Sequence, residues 1–185
     1  GAEAVVSFTD ITATKTRVSK RYRHPELDKR LINERTRAEA RLISEARRVG
    51  VRTPIIREIT HDAIVMERII GQKLKENLTP ETLIETGRMI GRLHSSQIIH
   101  GDLTTCNFLV QGEKLWLIDF GLAFTSSEIE HRGVDIHVLY QILESTSNDS
   151  DNLKKSFMKG YRELMPEADE ILTREHEIEL RGRYL

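Results

Sequence analysis

The feature that most narrows the fold is a set of oxygen-bearing side chains at fixed spacing. His100-Gly101-Asp102-Leu103-Thr104-Thr105-Cys106-Asn107 is followed by Leu117-Ile118-Asp119-Phe120-Gly121. Between the two strings, Phe108-Leu109-Val110 and Leu115-Trp116-Leu117-Ile118 flank Gln111-Gly112-Glu113-Lys114, the pattern of a short β-hairpin. A hairpin folds its ends together, so Asn107 and Asp119 can meet although they lie twelve positions apart. Gly121 is expected to let the chain turn sharply just beyond. This arrangement suits phosphoryl transfer, which needs little covalent chemistry but much positioning and charge neutralisation. Asp102 can orient an acceptor hydroxyl, while Asn107 and Asp119 offer the hard oxygens that a magnesium ion takes.

Composition sets the frame for that site. The 185 residues, 38% of them hydrophobic, allow a sizeable core in one domain or two small lobes. With 28 basic and 29 acidic residues the charges nearly cancel, which excludes a disordered tail of large net charge. No apolar run approaches the ~18 residues of a membrane helix, and no signal peptide is visible, so no membrane contact is expected. The lone Cys106 cannot pair internally and fits a reducing compartment, so the expected location is cytoplasmic. The start at Gly1 without a methionine is expected to mark a fragment, a processed form or a trimmed chain. Lys15 to Arg52 holds 13 Lys and Arg against five acids, +8, so the remainder carries −9. Such a segment is either an anion or RNA contact surface or a solvated helix face with i,i+4 pairs.

Ala4 to Val18, rich in Val, Ile, Thr and Phe, is expected to form two or three short antiparallel strands. A long helix runs from Pro25 to near Val49, with Leu31, Ala38, Leu42, Ala46 and Val49 on one face and Gly50 as its stop. The polar gap between Leu31 and Ala38 marks either a kink or two helices. Ile55–Ile59 and Ala63–Glu67 read as strands around a Thr60-His61-Asp62 turn. Thr79-Pro80-Glu81 is a strong helix start, carrying on to about Ser96. Further helices are expected around Val134–Glu144, Leu153–Leu164 and Glu167–Leu180. The seven histidines lack ligand spacing. His100 is expected to orient its loop by hydrogen bonding, Cys106 to act as filler and Trp116 to sit in the core. Asp135 either anchors the loop backbone or is a first-turn acid favoured by the helix dipole. Arg181, Arg183 and Tyr184 either reach RNA or phosphate or form a frayed end.

The D-x-x-x-x-N, hairpin, D-F-G order resembles the protein kinase-like superfamily. Ala13-Thr14-Lys15 looks like its A-x-K strand, whose lysine pairs with the α/β-phosphates; a shifted alternative, Lys20, fits the strand context less well. Glu39 sits where the superfamily keeps the lysine's partner, against the plainer reading of an i,i−4 pair with Arg35. Val65-Met66-Glu67-Arg68-Ile69 resembles the hinge, with Met66 as gatekeeper and backbone groups of Glu67 and Ile69 on adenine. The glycine-rich loop is absent, and Gly1-Ala2-Glu3-Ala4 stands in its place. H-G-D replaces H-R-D, no A-P-E follows, and only about a dozen residues separate Gly121 from the helix expected near Val134. H-G-D-L with I-D-F-G also occurs in RIO kinases and aminoglycoside phosphotransferases.

Several strings resemble one family in order along nearly the whole chain. They are G-A-E-A at the start, K-x-Y-R-H-P-E-L-D from Lys20, E-R-T-R-x-E-A-R-L from Glu34, H-G-D-L-T-T-x-N, I-D-F-G-L-A-F and the basic Arg181-Gly182-Arg183. On these the chain resembles the small atypical kinase of the KEOPS (EKC) complex, called PRPK in animals, with an archaeal look. Gly1 to Lys15 is shorter than that pattern, from a compressed strand turn or missing residues. The resemblance implies an α+β, bilobal fold: an N-lobe over about 1–68, a hinge over about 66–72 and a reduced helical C-lobe over about 73–185. It implies ATP and Mg2+ as cofactors, with Asp102, Lys15 and Glu39 catalytic and Asn107 and Asp119 on the metal. Gly1, Ala13, Lys15, Met66, Glu67 and Ile69 would line the nucleotide. Ser/Thr kinase and ATPase activity supporting tRNA threonylcarbamoyladenosine modification is implied. So are a threonylcarbamoyl-transferase partner, fused in some archaea, a small N-lobe-binding subunit, and tRNA. Two other readings stay open: a small-molecule phosphotransferase of aminoglycoside type, and a non-catalytic nucleotide-binding scaffold.

Overall fold

A computed structural model of the chain describes residues 3–182. Strands β1 (Ala4–Phe8) and β2 (Thr12–Arg17) form a tight hairpin through Thr9–Ile11. The Thr9 N–H closes its turn on the Thr12 carbonyl at 2.9 Å. Helix α1 (Pro25–Arg48) follows, then β3 (Ile56–Ile59) and β4 (Ala63–Glu67) around the expected Thr60–Asp62 turn. The four strands make one antiparallel sheet in the order β1-β2-β4-β3, with α1 packed against β3 and β4.

Helix α1 is one continuous helix across its polar stretch, not two. Its buried face also differs from the expected one. Ala38 and Val49 are exposed, while Thr36, Glu39, Ala40, Leu42, Ile43 and Ala46 are buried. The apolar pattern missed this face because two of its members are polar, and each is satisfied there. The Thr36 hydroxyl donates to the Ile32 carbonyl, and Glu39 is held by cations described below. On the outer face, Arg30–Glu34 and Arg41–Glu45 form i,i+4 pairs, and Arg47 donates to the Thr53 carbonyl at 2.6 Å.

Beyond β4, β5 (Gln72–Lys73) leads through a 3-10 turn at Leu74–Glu76 into α2 (Pro80–Ser95). Thr79 and Thr82 cap α2 reciprocally, each hydroxyl accepting the other's backbone N–H at 3.2 and 3.0 Å. Then come β6 (Ile98–Ile99), a 3-10 turn at Thr105–Asn107, β7 (Phe108–Gln111), β8 (Lys114–Leu117) and β9 (Phe124–Thr125). β7 and β8 form the expected hairpin, extended by β5, while β6 pairs with β9. Trp116 is half-buried rather than in the core, because it stands on the less covered face of that hairpin. Helices α3 (Ile129–Thr146), α4 (Ser150–Leu164) and α5 (Ala168–Gly182) complete the chain. Helix α3 starts five residues before the expected Val134, so only residues 122–128 separate Gly121 from it.

Leu83, Ile90 and Leu93 of α2 are fully buried, each stabilising by roughly 1.5–3 kcal/mol. Their cluster runs on into Leu42, Ile43 and Ala46 of α1, so sheet and helices share one core. None of the described helices is long and apolar enough to cross a membrane.

Helices α2 and α4 make the closest helix contact. A Cβ on Gly160 would lie 1.9 Å from the Ile84 carbonyl oxygen. In a free helix Gly→Ala gains about 1 kcal/mol, but here the backbones would have to part. Gly160→Ala is therefore expected to lower stability by roughly 1–3 kcal/mol in urea denaturation. An unchanged or higher midpoint would show that the two helices can separate at no cost.

Candidate active site

Side chains on a strand alternate between faces, so Ala13, Lys15 and Arg17 of β2 all point beneath the sheet toward α1. Glu39 meets them from α1. Lys15 Nζ donates to Glu39 Oε1 at 2.6 Å, and the Arg17 guanidinium donates to Glu39 Oε2 at 2.6 Å. The alternative partner Arg35 turns instead to Glu3 at 3.2 Å. Lys20, the shifted alternative to Lys15, lies beyond β2, where its backbone N–H donates to Asp28.

From the other side, Asp119 reaches the same lysine, with Lys15 Nζ 2.7 Å from its Oδ1. Asp119 holds a left-handed backbone, φ 63°, which is uncommon for a residue with a Cβ and concentrates at functional sites. The sharp turn thus falls on Asp119 rather than on Gly121, whose φ is not positive. Gly121 stands close to the pair: a Cβ there would lie 3.0 Å from Lys15 Nζ and 3.1 Å from Asp119 Oδ1, so both side-chain ends would have to shift by a few tenths of an ångström.

Burial alone would depress the Lys15 pKa, but the charges and hydrogen bonds of Glu39 and Asp119 outweigh it and raise the value. Burial likewise pushes Asp119 up, and the Lys15 ammonium more than reverses this, leaving it below the usual carboxylate value. Lys15 therefore stays a cation and Asp119 an anion at neutral pH.

The loop carrying Asp102 is fixed from beneath. Asp135, buried on α3, accepts from the N–H of His100 at 2.8 Å and of Gly101 at 2.9 Å. Of the two readings of Asp135, the loop anchor is the one observed. Its other contact is His94 Nε2 at 3.2 Å, and His94 Nδ1 lies 2.8 Å from the Tyr161 hydroxyl. Desolvation would raise the Asp135 pKa, but hydrogen bonds and charge from His94, with the His100 N–H, lower it overall. His100 Nε2 lies 3.1 Å from the Ile118 carbonyl, and its ring meets Phe120 edge-on, tying the loop to the segment that holds Asp119. Asn107 Nδ2 donates to the Asp102 backbone carbonyl and to Asp102 Oδ2 at 2.8 and 2.9 Å. The Ile118 N–H donates to the Asn107 carbonyl at 2.9 Å, so Asn107 stands opposite Ile118 at the hairpin base, one residue before Asp119.

A cleft of about 200 Å3 opens between β1–β2 and the β7–β8 hairpin. Val6, Phe8, Ala13, Met66, Leu109 and Ile118 make it apolar, with Lys15, Glu39 and Asp119 at its inner end. Glu67 and Ile69 border it, and the Ile69 N–H has no partner among the described residues. Gly1 lies outside the described residues, as do Arg183 and Tyr184. Arg181 pairs with Glu130 at 2.9 Å. Arg17 and His94 were missed by sequence reasoning. Arg17 carried one usable signal, its position two residues after Lys15; nothing local marks His94.

A strand lysine, a helix glutamate, an Asp-Asn loop and an aspartate behind a hairpin define a protein-kinase-like molecule. In fold the chain is similar to a Rio2 kinase from Chaetomium thermophilum, solved as an ADP/Mg2+-phosphoaspartate complex. The TM-score is 0.67 at 15% identity, over 100% of this chain and 70% of that one. It is similar also to WaaP in complex with acyl carrier protein, at TM-score 0.65 and 19% identity, over 95% and 83% of the two chains. The RIO domain family matches residues 3–167. A probable serine/threonine-protein kinase BUD32 homolog from Archaeoglobus fulgidus is 42% identical over all of this chain and 94% of its own length. The chain belongs to the RIO-domain family, in the group that includes this BUD32 homolog. It is also 76% identical, over its whole length, to a probable bifunctional tRNA threonylcarbamoyladenosine biosynthesis protein from Methanospirillum hungatei. The chain spans about a third of the length of such bifunctional relatives (36% in that case).

Asp135 yields a test of the loop anchor. Because its folded pKa lies below 3.8, its charge stabilises the fold above the unfolded pKa, and that contribution is lost as pH falls through the folded value. Asp135→Asn is expected to cost roughly 3 kcal/mol or more at pH 7 in urea denaturation, and the gap from wild type should narrow below about pH 4. A gap that stays constant down to pH 2 would remove the charge from this account.

Proposed function

We propose that the chain is an atypical ATP-dependent serine/threonine protein kinase and ATPase of the KEOPS complex, supporting tRNA threonylcarbamoyladenosine modification. The observation that carries this reading is Lys15 bridging Glu39 and Asp119 at the inner end of an apolar cleft. The cleft fits a nucleotide. Its apolar walls suit adenine, the Glu67 and Ile69 backbone would take the base edge, and Lys15 faces the phosphate end. Among the described residues no group of three or more His, Cys, Asp or Glu side chains could hold a metal ion alone. Mg2+ is commonly held by one or two carboxylates together with substrate phosphates. Asp119 and Asn107 would hold it, and bound Mg2+-ATP supplies the phosphoryl group and neutralises charge on it.

This chain's own residues do the rest. Lys15 binds phosphate while Glu39 keeps its ammonium in place. Asp102, steadied by the Asn107 amide, orients the acceptor hydroxyl or water and takes its proton. Gly101 stands where an arginine would hold a phosphorylated loop, and residues 122–128 leave little platform for a docked peptide. Both favour hydrolysis or self-phosphorylation over broad protein substrates. The intact Asp102, Asn107 and Asp119 set argues against a passive scaffold. The small helical part argues against an enclosed aminoglycoside-type substrate.

The partners in this reading are the KEOPS threonylcarbamoyl-transferase subunit, a small N-lobe-binding subunit and tRNA, in the cytoplasm. Support comes from the relatives: one carries tRNA threonylcarbamoyladenosine biosynthesis in its name, is called bifunctional, and is matched over 36% of its length.

The test is ATP turnover of wild type and Asp119→Ala, alone and with the transferase subunit and tRNA. Turnover should rise with partner and tRNA and fall in Asp119→Ala by at least about a hundredfold, the size of loss typical for an electrostatic catalytic group. Turnover that ignores partner and tRNA would sink the assembly role. Equal rates for both proteins under all conditions would leave only a scaffold.

A further inference from the structure

Glu39 is held from two sides by cations of different character. Lys15 takes Oε1 and Arg17 takes Oε2, both at 2.6 Å. The Arg17 side chain is 6% exposed and that of Glu39 2%. Arg17 Nε is buried without a hydrogen-bond partner among the described residues. Among the described residues its only other ion-pair neighbour is Glu3 at 4.0 Å, which Arg35 already holds. Lys15, by contrast, also reaches Asp119, whose side chain is 51% exposed. One cation is thus fixed, while the other stands between a buried anion and an open one.

We propose that Arg17 is a positioning residue that neutralises Glu39, so that Lys15 can leave Asp119 for a nucleotide phosphate while remaining on Glu39. The inference rests on the nucleotide reading above. As it stands, Lys15, Arg17, Glu39 and Asp119 sum to zero charge. Once Asp119 turns to a metal ion, Lys15, Arg17 and Glu39 are left with +1 facing the phosphates. Without Arg17 the remaining pair sums to zero, and the ammonium is held by Glu39 with no surplus for the ligand. A guanidinium suits the task because it stays charged at any working pH and holds its partner through a rigid fork. The same constraint explains why a buried arginine is tolerated two residues after the lysine: both cations share one buried carboxylate, so neither charge is left unpaired.

The experiment titrates the chain with Mg2+-ATP and with adenosine, for wild type, Arg17→Met, Arg17→Lys, Glu39→Gln and the Arg17→Met/Glu39→Gln pair. Arg17→Met is expected to weaken ATP about tenfold, a coupling of ordinary size for groups in contact. Adenosine, which has no phosphate, should change by less than about twofold, and Arg17→Lys should recover part of the ATP loss. On the Glu39→Gln background the Arg17→Met loss should shrink to about threefold or less, since no carboxylate remains to neutralise. Equal losses for ATP and adenosine would make Arg17 a packing residue and overturn the proposal. A full-size loss on the Glu39→Gln background would mean that Arg17 acts on phosphate directly, which also overturns it. If Arg17→Met does not fold, the neutral but hydrogen-bonding Arg17→Gln decides: an ATP-selective loss supports the proposal, and unchanged ATP binding overturns it. A wild type that fails to bind Mg2+-ATP would overturn the nucleotide reading, and this inference with it.

Discussion

One ammonium group joins the three parts of the site. Lys15 comes from the sheet, Glu39 from α1 and Asp119 from the segment behind the β7–β8 hairpin, and both carboxylates lie within 2.7 Å of Nζ. A contact that short across three elements places demands on each. The sheet must present Lys15 on its covered face, and α1 must bury an acid on its inner side. The chain must also enter a left-handed conformation at Asp119. That conformation persists because its surroundings fix it: Phe120 is buried next door, and His100 grips the Ile118 carbonyl on the other side. His100 is in turn held by Asp135, and Asp135 by His94 and the helices α2 and α4. The reach of one lysine thus depends on contacts deep among the helices.

What was legible in the sequence was what is local. Thr79-Pro80 announces α2 because a cap is built from neighbouring residues, and Gln111–Lys114 announces the hairpin for the same reason. The Asp102 and Asn107 spacing is legible because both lie on one short loop, and the hairpin returns the chain to Asn107 at Ile118, one residue before Asp119. The inner face of α1 was misjudged because Thr36 and Glu39 are buried through hydrogen bonds, which an apolar pattern does not register. The start of α3 was set too late because residues 129–133 include Glu130, His131 and Arg132, whose polarity masks helix. The short pairs β5–β7 and β6–β9 join segments far apart in the chain, and the two-residue strands β5, β6 and β9 are too short to show a period of two. Arg17 and His94 belong to the same class: each is explained only by a partner that folding brings to it.

Two departures from ordinary kinases, the glycine in H-G-D and the shortened stretch after D-F-G, prove to be one constraint. Gly101 sits at φ 77°, and a Cβ there would come within 2.4 Å of the Leu122 carbonyl oxygen. The stretch after Asp119 is so short that Leu122 must pass directly over the loop before β9 pairs with β6. Only glycine leaves room beneath that carbonyl. A longer segment could arch away and admit a side chain; this one uses the freed space to pack its backbone against the loop. The Asp102 loop is therefore pressed from above by Leu122 and held from below by Asp135, with its own glycine between them. Order that a phosphorylated segment would have to supply through an arginine is here part of the resting fold.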